Sequence, residues 1–236
     1  MKNYILDKVA FKQSSILKFL WKLANQFEMT NHSKFLKFEK FKYQSTHSNE
    51  IFEIQKFYHS MGGGNPYFQY SKLLEIFEIL KEKKPLNVIE YGTGSSSHVF
   101  NKFHEIETLY IEENLNWWES VSKNLDIKTF RIPKKIKNGI NFSYDYRVDK
   151  KYDLVYIDGP HLWFDDVDYS RSAICFDIFN FEEKFLPDTI VVDMRLNTVD
   201  EIEKRFKNKY KLKRSDILNR NPKRDFQYHS IFEKIT

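Results

Sequence analysis

The chain has 236 residues, 41% hydrophobic, 30% charged and 17% aromatic, enough for one sizeable core and too rich in apolar side chains for a disordered or fibrous protein. Against 33 Asp and Glu stand 38 Lys and Arg, a formal charge of +5 that is too mild and too dispersed to advertise a nucleic-acid binder. The single cysteine, Cys175, excludes an intramolecular disulfide and a cysteine zinc cluster, no apolar run has the length of a membrane span, and Met1-Lys2-Asn3-Tyr4 does not open a signal peptide, so a cytoplasmic protein is expected.

Residues 1–50 read as an N-terminal helical extension and 51–236 as the main domain. After Ser14-Ser15, a capping pair, Ile16, Phe19, Leu20, Leu23, Ala24 and Phe27 recur at helical spacing. Lys34 to Tyr43 mixes bases with aromatics. The preferred reading is a helix packed on the main domain or on a second copy of the chain, ahead of a membrane or nucleic-acid surface, and it makes these N-terminal helices the candidate surface for a homo-oligomer. Gln44 to Asn49 is a polar linker.

From Tyr67 the pattern becomes regular. Tyr70, Leu73, Leu74 and Phe77 form one helical face, Lys81 to Lys84 end the helix, and Pro85 separates it from the short buried strand Leu86 to Glu90. A helix is expected from Ser95 to about Phe103, a strand at Thr108 to Ile111, a helix from Asn116 to Leu125 and a strand at Thr129 to Ile132. Pro133 to Lys151 reads as a basic loop or hairpin around Asn138-Gly139. The strand Tyr152 to Ile157 follows, then a helical stretch from about Asp166 to Phe179 and the strand Thr189 to Asp193. Thr198-Val199-Asp200-Glu201 has the form of a capping box opening a helix. Two last strands are expected near Tyr210 to Lys213 and Phe226 to Phe232. Strands alternating with helices in this way predict an α/β fold: a Rossmann-like, doubly wound, mostly parallel seven-stranded sheet, with ligands at the carboxyl ends of its strands.

Three strand ends there finish in an acid or a glycine turn: Glu90 to Gly94, Asp158-Gly159 and Asp193. The chain has only seven glycines, and Glu90-Tyr91-Gly92-Thr93-Gly94-Ser95-Ser96-Ser97 places two of them directly after a strand. They let the backbone turn tightly and approach a ligand, with the next helix offering N–H groups. Ser97 stands where a dinucleotide loop wants a third glycine, and no Gly-Lys-Ser/Thr follows, so adenosine without a pyrophosphate fits better. Glu112, twenty residues after Gly92 at the next strand end, suits the two hydroxyls of a ribose, with Glu113 as the alternative in a shifted register.

These features resemble a class I S-adenosylmethionine-dependent methyltransferase. The Glu-x-Gly-x-Gly-x-Ser loop at 90–96, the acid Glu112, and Tyr152-Asp153-Leu154-Val155-Tyr156-Ile157-Asp158-Gly159-x-His161 are similar, in order, to motifs of small-molecule and sugar O-methyltransferases, over residues 65 to 235. The resemblance implies a cofactor, S-adenosylmethionine. Glu90 with the backbone at Gly92, Gly94 and Ser95 would hold its methionine end, Glu112 its ribose, and Asp158 and His161 would line the site. Gly62-Gly63-Gly64 resembles in place a segment that closes over the cofactor, with a domain joint as the equal alternative. Metal-dependent relatives carry Asp-Asp or Asp-Asn after the fifth strand, whereas this chain has Asp193-Met194. Whether Mg2+ sits between Asp158 and Asp193 is therefore open.

With a methyl group already electrophilic, the protein must align an acceptor and remove a proton, and His161 is the candidate general base toward an acceptor hydroxyl. Asp158 stands beside it. Trp163 and Phe164 are candidates for stacking on a sugar, and Asp165, Asp166, Asp168 and Arg171 for contacting a polar acceptor or simply starting a helix. The expected function is methyl transfer to a hydroxyl of a small molecule or saccharide. The alternatives are a non-catalytic nucleotide-binding or assembly subunit of the same fold, and an NAD-dependent oxidoreductase, disfavoured by Ser97 and by the lack of a well-placed Tyr-x-x-x-Lys pair.

Overall fold

The structure, a computed structural model, describes residues 66–235 apart from 126, 128, 138–140, 162, 165–166, 169–172, 194 and 215–228. The chain divides into two compact units, Met1–Leu74 and Glu75–Thr236. The N-terminal helix, the basic aromatic segment, the linker and the glycine triplet lie outside the described residues. Among the described residues no helix is long and apolar enough to cross a membrane.

The elements run α1 (Pro66–Lys83), β1 (Asn87–Tyr91), α2 (Ser95–Phe100), β2 (Glu107–Glu112), α3 (Leu115–Asn124), β3 (Thr129–Arg131), β4 (Lys135–Lys137), β5 (Asn141–Ser143), β6 (Leu154–Ile157), β7 (Trp163–Phe164), β8 (Val167–Asp168), β9 (Ile174–Cys175), β10 (Thr189–Asp193), α4 (Leu196–Phe206), β11 (Tyr210–Arg214) and β12 (His229–Lys234). Seven strands form the main sheet in the order β11-β12-β10-β6-β1-β2-β3. β3, β2, β1, β6 and β10 are parallel, and β12 runs antiparallel to both β10 and β11.

The seven-stranded, mostly parallel sheet expected from the sequence is thus present, and its central strands explain why. β1, β6 and β10 are runs of Val, Ile and Tyr buried along nearly their whole length, the pattern of strands covered on both faces. Ile89, Val155, Ile157, Ile190 and Val192 lie at the centre of the core, where each buried aliphatic side chain contributes roughly 1.5 to 3 kcal/mol. Chain order reverses between β1 and β6, so the carboxyl ends of these two strands flank the crevice of the sheet.

Two expectations fail. The described residues between Asp166 and Phe179 do not form an α-helix: Val167 and Asp168 pair antiparallel with Trp163 and Phe164, Ile174 and Cys175 pair parallel with β5, and Asp177–Asn180 is a 3-10 turn. The apolar spacing there imitates a helix, but tertiary pairing decides. The Phe176 N–H is taken by the Phe142 carbonyl, and Asp177 accepts from the Ser143 hydroxyl at 2.9 Å and the Tyr144 N–H at 3.0 Å. Nor is Thr198 a helix cap. α4 starts at Leu196, and the buried Thr198 hydroxyl instead accepts from the Cys175 N–H at 3.0 Å, while Glu201 pairs with Arg205. The basic hairpin forms as expected, with Lys135 opposite Ser143 and Ile136 opposite Phe142.

Candidate functional site

Gly92 follows β1 with φ +88, in the left-handed region that disfavours a side chain, and its N–H donates to the Ile111 carbonyl at 2.8 Å. A Cβ built on it would lie 2.6 Å from the Gly159 nitrogen and 2.7 Å from the Asp158 carbonyl carbon. The turns after β1 and β6 therefore touch backbone to backbone. Gly94 has φ 170, extended backbone open to any residue, so only the first glycine is needed for the bend.

Glu90, one residue before the end of β1, is fully buried. Its carboxyl accepts from the Ser96 hydroxyl and, at 2.7 Å, from the Ser97 hydroxyl, so the residue standing in place of a third glycine has its own task. Ser95 is buried beside them. Burial pushes the Glu90 carboxyl up to about 8, against the pull of the two hydroxyls and with the charges of Asp158 and Glu112 adding to it. Since this lies above the ordinary 4.5, the folded chain holds the proton more tightly than the unfolded one. The stabilisation is complete below 4.5 and is lost as pH rises through about 8. We expect the thermal midpoint of the native chain to fall over that range by the equivalent of about 2 to 4 kcal/mol, and that of Glu90→Gln to fall distinctly less. Parallel pH profiles would show that Glu90 is not the group responsible.

Glu112 ends β2 and turns back on the chain. Its Oε2 accepts from the Thr93 N–H at 2.7 Å and the Thr93 hydroxyl at 3.1 Å, and its Oε1 from the N–H groups of Glu113 and Asn114, both at 2.8 Å. Those four donors match the four lone-pair positions of a carboxylate. Asn114 meanwhile caps α3 through Asn116 and Trp117, which locks the strand-to-helix corner. Burial, then the like charge of Glu113, push the Glu112 carboxyl up, while the Asn114 and Thr93 N–H groups pull it down. Glu113 is a second junction: it accepts from the Tyr144 hydroxyl at 2.6 Å and the His161 N–H at 2.7 Å, with the Lys134 ammonium at 3.9 Å.

Past β6, Asp158 is partly exposed and its Oδ1 accepts from Arg195 NH1 at 3.0 Å. The same guanidinium reaches the Asp193 carbonyl at 3.1 Å, the Asp158 carbonyl and, through Nε, the Cys175 sulfur at 3.2 Å. Burial holds the Cys175 thiol up to about 11, so it stays protonated beside Arg195. Asp193 is buried at the end of β10, its Oδ1 3.9 Å from His229 Nε2. Fully buried His229 also meets the Tyr156 hydroxyl at 3.0 Å and Glu75 at 2.6 Å, under the same sheet face as Glu90, since Tyr156 pairs with Glu90 in register. His161 is exposed, its N–H held by Glu113 and its carbonyl by Lys134 at 2.8 Å.

No protein-family model and no curated protein matches the chain. Among solved structures, a putative caffeoyl-CoA O-methyltransferase from Staphylococcus aureus superposes with a TM-score of 0.50 at 14% identity, over 86% of this chain and 98% of that one. The chain has the class I methyltransferase fold. A putative O-methyltransferase from Klebsiella pneumoniae (TM-score 0.47, 11% identity, 79% and 90% covered) and the plantazolicin methyltransferase BpumL in complex with SAH (TM-score 0.39, 14% identity, 92% and 100% covered) are also similar.

Within this methyltransferase fold, the glycine turn, Glu112, Asp158 and His161 share the carboxyl edge of β1, β2 and β6, and Asp193 ends the neighbouring β10. Nothing is described of the side chains of Trp163, Phe164 and Asp168, and Asp165, Asp166 and Arg171 lie outside the described residues. Arg195, Thr93 and Tyr144 join the site without being singled out by the sequence pattern. Arg195 had a signal, a base two residues beyond an acid that ends a strand; Thr93 had none beyond lying between two glycines. Among the described residues no three His, Cys, Asp or Glu side chains group to hold an ion, and the Asp158 carboxylate faces a guanidinium instead of an open coordination position. Magnesium does not fit there.

Proposed function

We propose that this chain is an S-adenosylmethionine-dependent methyltransferase acting on a hydroxyl of a small molecule or saccharide. The observation that carries the reading is the 2.7 Å contact between the Thr93 N–H and Glu112, which joins a Glu-x-Gly-x-Gly turn to the next strand's terminal acid at the switch point of the sheet. A buried carboxyl beneath a left-handed glycine turn suits a ligand met by the backbone of that turn. On this reading Glu90, Gly92, Gly94 and Ser95 hold the methionine end and Glu112 the ribose, with Asp158 beside them. Bound there, the cofactor supplies a methyl group that its sulfonium makes electrophilic.

What remains for the chain is to orient the acceptor and take its proton. His161 is the base. Glu113 and Lys134 pin its backbone at both the N–H and the carbonyl, which fixes where the exposed residue stands, and an imidazole has the chemistry to receive the proton of an acceptor hydroxyl. For Glu112 to accept a ribose hydroxyl one of its four donors must yield, and the Thr93 hydroxyl, at 3.1 Å, is the longest of those contacts.

The filled lone-pair positions of Glu112 also favour a second reading, a nucleotide-binding or assembly subunit without acceptor chemistry. Calorimetry with S-adenosylmethionine, S-adenosylhomocysteine and NAD, followed by labelled-methyl transfer to a panel of hydroxylated acceptors, separates them. We expect saturable binding of the first two, none of NAD, and transfer to oxygen. In His161→Ala we expect unchanged cofactor affinity and turnover reduced by about 100-fold or more. Failure to bind either sulfur nucleoside removes the reading, and binding without transfer leaves the second one.

A further inference from the structure

We propose that Arg195 is the fixed cation of the acceptor side of this site, a positioning residue that occupies the place of a divalent metal and pairs with the Asp158 carboxylate at the edge of the crevice. An acceptor role for this corner rests on the methyl-transfer reading; the exclusion of metal does not.

The guanidinium joins three strand ends. NH1 bridges the Asp158 carboxylate and the Asp193 carbonyl, NH2 donates to the Asp158 carbonyl, and Nε donates to Cys175 on β9. Its side chain is only 14% exposed, against 28% for Asp158. This is a cation held by directed bonds in a largely dry position, where a planar fork loses little freedom on binding. A fifth N–H has no partner among the described residues, and an oxygen of the acceptor suits it by charge.

A divalent ion at the same carboxylates would need several oxygens around it at roughly 2.0 to 2.6 Å. Here the Asp158 Oδ1 is committed to NH1 at 3.0 Å, and an incoming ion would face a positive charge at that distance from its first ligand. Asp193 contributes its carbonyl, not its carboxylate, to the cation already present. The pairing with Asp158 also means that removing either partner breaks a part-buried ion pair.

The test is a titration of the full chain with Mn2+ alone, the free ion being followed by electron paramagnetic resonance. We expect the native chain to show no saturable site below about millimolar Mn2+, and Arg195→Ala to gain one at least about tenfold tighter, because the Asp158 carboxylate then loses its guanidinium and the positive charge beside Asp193 is gone. Adding Asp158→Asn to that variant should abolish the new site, and Arg195→Lys should behave as the native chain does. Arg195→Met, which keeps the stem and drops the charge, replaces Arg195→Ala if the latter does not fold. A native site for Mn2+ that Asp158→Asn removes would overturn the proposal. So would a folded, charge-free variant that gains no site. Because no cofactor enters this titration, its outcome is independent of whether S-adenosylmethionine binds, which the calorimetry decides on the same samples.

Discussion

Gly92→Ala is expected to lower stability by about 3 kcal/mol or more, since it combines a left-handed backbone conformation with a backbone collision. The added methyl would meet the Gly159 nitrogen at 2.6 Å, the Asp158 carbonyl carbon at 2.7 Å and the Gly159 Cα at 2.7 Å. None of these is the tip of a flexible side chain, so relief requires the turns after β1 and β6 to separate. Separation would also stretch the bond from the Gly92 N–H to Ile111 and disturb the Tyr144 ring, whose hydroxyl lies against Gly159. Chemical denaturation of the two proteins measures the loss. Gly94→Ala is the control: its extended φ of 170 imposes no left-handed strain, and the change should be much smaller. Equal effects at the two positions would contradict the close approach of the two turns.

Glu112→Ala is expected to have the second large effect, and on stability as well as on ligand binding. Removing the carboxylate strips partners from the Thr93 N–H and hydroxyl and from the N–H groups of Glu113 and Asn114. A buried donor left unsatisfied costs about 1 to 3 kcal/mol, and water reaches the two on the α3 side more easily than the two on Thr93, so about 3 kcal/mol in total is expected. Glu112→Gln should fall between, because an amide accepts at one oxygen and turns its NH2 toward donors. Thermal denaturation without any ligand reads this directly. A variant as stable as the native chain would show that the carboxylate is not the pin of the glycine turn. A loss of cofactor affinity in Glu112→Ala is thus not by itself evidence for a ribose contact, and must be weighed against Glu112→Gln.

Much of this architecture is legible in the amino-acid sequence. Val88 to Glu90, Leu154 to Ile157 and Thr189 to Asp193 are apolar runs too short for helices, bounded by turn residues or acids, and such runs become central parallel strands because both faces must be covered. The glycine turn was legible because a rare residue stood directly after a strand. What misled was local pattern without its partner. Val167, Ile174 and Ile178 keep helical spacing, yet Ile174 pairs with Asn141, more than thirty residues away in sequence, and Ile178 falls in a 3-10 turn. Thr198 and Glu201 spell a capping box, yet the threonine is claimed by Cys175 and the glutamate by Arg205.

The sequence by itself determined the seven strands of the main sheet, the four described α-helices between and before them, and the acids and glycines at the carboxyl edge, because these follow from periodicity and chain stiffness, which are local. Only the tertiary structure decided that Glu112 clasps Thr93, that Glu113 rather than a neighbour anchors His161, and that Arg195 rather than a metal faces Asp158. Those choices are settled by burial: a charge withdrawn from water must find a partner within hydrogen-bond reach, and which partner is near depends on how distant segments pack.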